Sequence, residues 1–176
     1  MGQRPNLNES TISLLTDCQK TRNNNFKRIQ DLRKLIMENT LRKKGGETNG
    51  KGAKAPFPYY FGGKSKAAPL LWSRFGADVG NYVEPFLGSA AVWLQRPDAF
   101  AGWATLNDLD GHVANFWRSV RLHPAETAET ACQPVFEADL HSRHLALVNR
   151  RGALTDRLCA DPDYCEPVLA GWWAWG

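Results

Sequence analysis

Two carboxylates and a run of small residues are the first candidates for chemistry in this chain. In "YVEPFLGSAA" Glu84 closes a short apolar stretch, and Gly88, Ser89, Ala90 and Ala91 follow; in "ATLNDLD" Asp108 closes a second stretch. A glycine followed by small side chains lets a ligand lie against the backbone. Asp108 comes 24 residues after Glu84. That spacing suits a carboxylate accepting hydrogen bonds from two ribose hydroxyls, with both acids at the carboxyl ends of parallel strands. Upstream, "FPYYFGGKSK" brings aromatic rings, a Gly-Gly pair and the cation Lys64.

The glycine pattern narrows the ligand. A dinucleotide fingerprint needs G-x-G-x-x-G, and this turn supplies Gly88 alone; a phosphate loop needs G-x-x-x-x-G-K-[ST], and Gly63-Lys64-Ser65 lacks the upstream glycine. An adenosine ligand without phosphates fits better. S-adenosylmethionine asks for an acid at its ribose, a close backbone turn and a cation for its carboxylate, which Asp108, Gly88 and Lys64 can supply.

These residues need elements to hold them. The spacing predicts a helix in "KSKAAPLLWSRF" with Leu70, Leu71 and Phe75 inward and Pro69 at its first turn or a kink. It then predicts a strand in "NYVEPF", a helix start in "GSAAVWLQR", a strand in "WATLND", and an amphipathic helix in "GHVANFWRSVRLH" closed by Pro124. Val113, Phe116, Trp117 and Val120 share one face of that last helix. Strand–helix alternation marks a parallel α/β sheet. Beyond residue 125 a broken pair of helices is expected, then the Trp-rich "AGWWAWG".

The chain has 176 residues, of which 43% are hydrophobic, and no apolar run approaches a membrane span. No secretory signal is visible at its start. Four scattered cysteines do not form a disulfide framework, so a cytoplasmic setting is expected. The net charge of +4 is unevenly placed: residues 1–55 carry +7 and residues 56–176 carry −3. The basic part holds an amphipathic helix expected at about 25–42 and a Gly/Lys-rich linker, so phosphate attraction would concentrate there.

Taken in order, "PYYFGGKSK", "YVEPFLGSAAVWL" and "ATLNDLDGHVANFW" resemble the adenine-specific DNA methyltransferases of the DNA adenine methylase family, and "AGWWAWG" resembles phage-borne members more loosely. The resemblance covers about residues 56–122. It implies a partial Rossmann-like, S-adenosylmethionine-dependent methyltransferase fold with double-stranded DNA as partner. Tyr60 would stand near the cofactor and Lys64 would meet its methionine carboxylate. Glu84, Pro85, Phe86 and Gly88 would form the turn beneath the methionine part, and Asp108 would hold the ribose. Ala90 stands where the family has its second glycine.

The family's catalytic Asp-Pro-Pro-Tyr is not in the sequence. Its nearest string, "DPDY" at Asp161–Tyr164, lacks the second proline and follows "RLCA" rather than an apolar strand. The expected organisation is a basic extension over 1–55, the cofactor-binding half of a methyltransferase over 56–124, and an incomplete target-recognition segment over 125–176, with the chain stopping before the catalytic strand. The alternatives are a non-enzymatic DNA-binding or interaction module derived from a decayed methylase and an unrelated nucleotide-binding α/β domain. A zinc site from His141, His144, Cys159 and Cys165 has no standard ligand spacing, so no metal is expected.

Overall fold

A computed structural model of the protein describes residues 63–175. The basic extension, the helix expected within it at about 25–42, the expected linker and Tyr60 lie outside the described residues. The first described helix, α1, spans Ala68–Phe75 with Pro69 in its opening turn, where a missing N–H breaks no helical bond. Its inward face differs from the expected one. Ala68 and Trp72 are buried, while Leu70 and Phe75 are half or more exposed. The reason is an aromatic box: Trp72 stacks on Tyr82 at 5.1 Å and meets Phe100 edge-on at 5.8 Å. Its indole also donates to the carbonyl of Val92 at 2.7 Å. Burying a side chain of this size contributes about 1.5–3 kcal/mol, and the register of α1 follows Trp72.

Strand β1 (Asn81–Glu84) pairs in parallel with β2 (Trp103–Leu106), Asn81 facing Trp103 and Glu84 facing Leu106. Alternation along β1 turns Tyr82 and Glu84 inward and leaves Val83 out. Between the strands, the helix expected from "GSAAVWLQR" shrinks to one 3₁₀ turn at Trp93–Gln95. Ala90 has φ 53°, a left-handed conformation that a continuous right-handed helix does not admit, and Pro97 follows closely.

The remaining chain is helical: α2 (Gly111–Leu122), α3 (Pro124–Ala131), α4 (Glu137–Ala160) and α5 (Pro167–Trp175). Helix α2 matches its expected span. Asp110 caps it by accepting from the His112 N–H at 2.9 Å. Pro124 opens α3 rather than merely ending α2. Phe116 and Val120 of α2 pack with Leu87, Ala90, Leu94 and Ala170, joining the strand-end turn to the helices. Helix α5 lies tightly on α3: a Cβ on Gly171 would stand 2.6 Å from the Thr130 Cβ, so glycine is required there. Leu154, Leu158 and Leu169 form the contact between α4 and α5.

Candidate functional site

The carboxyl ends of the two parallel strands are tied together by backbone and side-chain bonds. Asn107 N–H donates to the Glu84 carbonyl at 2.9 Å, and Leu87 N–H donates to the Asn107 carbonyl at 2.8 Å. The Asn107 amide donates to the Pro85 carbonyl at 3.2 Å. Asp108 completes the tie. Its Oδ2 accepts from the Gly88 N–H at 2.7 Å, and its Oδ1 accepts from the Asp110 N–H at 3.0 Å. Each carboxylate oxygen keeps a further lone pair, so Asp108 can still accept two hydroxyl protons. Gly88 has φ 51° and Ala90 has φ 53°, so the turn makes two left-handed steps within three residues. The Trp117 indole, from α2, donates to the Gly88 carbonyl at 2.9 Å.

A cavity of about 510 Å³ adjoins this tie, within the size range of small-molecule sites. Leu87, Ala90, Asn107 and Asp108 supply wall from the two turns. Trp93 and Trp117 supply aromatic wall, and the lining continues along α2 from Val113 to Arg121, about 12 Å of helix. Arg118 of that face is committed elsewhere: it donates to the carbonyls of Leu158, Asp161 and Tyr164 at the end of α4. A carboxylate on the wall of a mainly apolar cavity can orient a vicinal diol while the rings cover an apolar or aromatic body. The residues present therefore fit an adenosine-bearing ligand.

Lys64 and Glu84 form a corner outside that lining. The Glu84 carboxylate is 5% exposed and accepts from the Tyr82 hydroxyl at 2.8 Å, and the Lys64 ammonium lies 2.9 Å from its other oxygen. Pairing offsets the cost of burying the carboxylate. Burial first, then the bond to Glu84 and its charge, push the Tyr82 phenol far above its usual range. Lys64 also donates to the Phe86 carbonyl. The segment holding Lys64 is pinned where Gln95 donates to the Ser65 carbonyl at 3.3 Å. The Phe86 side chain itself is exposed.

Of the residues singled out from sequence, Asp108 thus lines the cavity and Gly88 stands behind its wall between Leu87 and Ala90. Pro85 accepts from Asn107, and Lys64 and Glu84 meet each other. Sequence reasoning did not pick Asn107 or Trp117 as site residues. Trp117 showed only as one of several apolar residues on a helix face, and its bond to Gly88 spans 29 positions.

"DPDY" lies at a helix end. Asp161 caps the C-terminus of α4 and folds back to accept from the Asp163 N–H at 2.9 Å. The Tyr164 hydroxyl donates to Glu166, which Arg150 also meets at 3.2 Å. Buried Asn115 grips the Glu166 backbone both ways, donating to its carbonyl at 2.9 Å and accepting from its N–H at 2.7 Å. Among the described residues no group of His, Cys, Asp and Glu could hold a metal ion. His141 instead lies 4.0 Å from Glu137, Cys159 is exposed, and burial raises the Cys165 thiol above its usual value.

Residues 60–145 match the family model of the D12 class N6 adenine-specific DNA methyltransferases. The methyltransferase match covers a little under half of the chain and includes both strand-end turns, Trp117 and the first turns of α4. It stops short of "DPDY". No curated protein and no solved structure matches the chain. No helix of the described residues is long and apolar enough to cross a membrane.

Proposed function

We propose that this chain is the S-adenosylmethionine-binding part of an enzyme that methylates the exocyclic amine of adenine in double-stranded DNA, built on a partial Rossmann-like fold and acting in the cytoplasm. The observation that carries the reading is the tie between the Gly88 turn and Asp108, beside a cavity of about 510 Å³. The match of residues 60–145 to adenine methyltransferases supports the reaction class.

In this reading Asp108 accepts the two ribose hydroxyls with its remaining lone pairs while its bond to Gly88 fixes the turn. The backbone from Glu84 to Gly88 lies under the methionine part. Lys64 has three ammonium protons; two face Glu84 and Phe86, and the third is directed to the cofactor's carboxylate. Glu84 keeps that ammonium in place. When bound, the cofactor supplies an electrophilic methyl on a sulfonium. The acceptor nitrogen must approach it in line at about 3–3.5 Å.

Holding the flipped adenine needs acceptors for its amine hydrogens and a ring to stack on. Asp161 and Tyr164 are engaged at the end of α4, which favours binding without transfer by the 176-residue chain. The test joins two assays: calorimetric titration with S-adenosylmethionine and incorporation of labelled methyl into duplex DNA. Saturable cofactor binding with background incorporation is expected. Absence of binding would refute the cofactor site, and incorporation abolished by Asp161→Ala would make "DPDY" the active site.

A further inference from the structure

Parallel strands occur almost only where helices cover both faces of the sheet. Side chains alternate along a strand, and the register sets Asn81 beside Trp103 and Val83 beside Thr105. These four residues therefore share the face opposite Tyr82 and Glu84. Tyr82 and Glu84 are buried, whereas Val83 is 56% and Trp103 83% exposed. A two-stranded sheet is marginal until it packs on a helix.

The sequence holds an apolar stripe with the matching need. Phe26, Ile29, Leu32, Leu35 and Ile36 recur at helical spacing within 25–42, outside the described residues. Such a stripe forms a stable helix mainly by packing on an apolar surface. The segment that carries it joins the described residues at Gly63. The next residue, Lys64, is held at the carboxyl end of β1 by Glu84 at 2.9 Å and by the Phe86 carbonyl. Residues 43–62 reach up to about 70 Å, and a strand of four residues is only about 13 Å long, so the face is within range. Charge points the same way. Residues 25–42 carry five Lys or Arg against two Asp or Glu, and residues 56–176 carry −3, so the two attract.

We propose that residues 25–42 pack as an amphipathic helix on the face made by Asn81, Val83, Trp103 and Thr105, with the Leu32 side of the stripe against Val83 and Trp103. Lys27 and Lys34 then fall on the solvent side, about half a turn from the stripe. The contact gives the sheet the cover that its parallel strands require. It does not depend on the cofactor reading, and a chain that binds no S-adenosylmethionine leaves it standing.

The test uses the full chain. Leu32→Asp should lower the thermal midpoint by about 3–8 °C. Val83→Asp should lower it similarly, and the two together by little more than either, because both break one contact. Gln30→Asp adds the same charge on the other side of the predicted helix and should move the midpoint by less than about 2 °C. The Trp103 indole N–H resonance, assigned by Trp103→Phe, should shift in Leu32→Asp and stay in place in Gln30→Asp. Should either of the Leu32 or Val83 aspartate variants not fold, Leu32→Ala carries the test through the same resonance. A midpoint or an indole resonance untouched by the Leu32 change overturns the proposal, as do losses that simply add. A dimer in sedimentation that Val83→Asp alone dissociates would overturn it in favour of a second copy on this face. Weaker duplex-DNA binding by Val83→Asp alone would overturn it in favour of DNA.

Discussion

In the helical part of the molecule Val113, Phe116 and Asn115 are 0% exposed and Leu154 is 2% exposed; on β2 Trp103 is 83% exposed and all four residues face solvent. The two regions are held by different forces. Helices α2 to α5 are joined by apolar side chains and by the close seat of Gly171 on α3. The strand ends are joined mainly by hydrogen bonds, from Asn107 to Glu84 and Pro85 and from Gly88 to Asp108. A two-stranded sheet is marginal by itself, so the turns that would do the chemistry lean on α2 through Leu87, Ala90 and Trp117. Changes in the helices should therefore cost stability, and changes at the strand ends should cost binding.

The largest effect is expected where the regions meet. Phe116→Ala should destabilise the protein by about 3–5 kcal/mol, the usual cost of emptying an aromatic core site. Denaturant unfolding followed by helical and by aromatic signals should give one shared transition, because Phe116 packs with both the Leu87–Ala90 turn and α5. Two separate transitions would break the picture of a corner dependent on the helices. Asn115→Ala should cost about 1–3 kcal/mol by leaving the Glu166 backbone unpaired. Its effect on cofactor titration should be confined to that loss of stability.

The smallest effect is expected at the strand ends, and with the opposite sign. Ala90 holds φ 53° while buried. A left-handed conformation costs a non-glycine residue about 1–2 kcal/mol, and glycine returns about 0.4–1 kcal/mol of that through the freer unfolded chain. Ala90→Gly should thus raise stability by up to about 1.6 kcal/mol, read as a thermal midpoint a few degrees higher. A lowered midpoint would show that the alanine methyl contributes more by packing against Leu87 and Leu94 than it costs in strain.

How far the sequence foretold this structure depends on the range of the interactions. Helix α2 and both strands were legible, because the spacing of Val113, Phe116 and Val120 and the short β-like runs are local signals. The inward face of α1 was not, because Trp72 is drawn in by Tyr82 and Phe100 from other segments. "GSAAVWLQR" has helical composition, and nothing local announces the left-handed Ala90 that stops a helix there. At the site, Glu84, Gly88 and Asp108 were legible as strand-end residues. The partners that occupy them in the fold, Tyr82 and Lys64 on Glu84 and Trp117 on Gly88, depend on how the turns are stacked.

The central claim is that the strand-end corner is a cofactor site held by Asp108, and one comparison tests it most directly: calorimetric titration of wild type and Asp108→Ala with S-adenosylmethionine at equal fraction folded. Removing the carboxylate leaves the Gly88 N–H and the ribose hydroxyls without their acceptor, so affinity should fall by about 1–3 kcal/mol. Equal affinity for the two proteins would contradict the assignment of Asp108 and the site built on it.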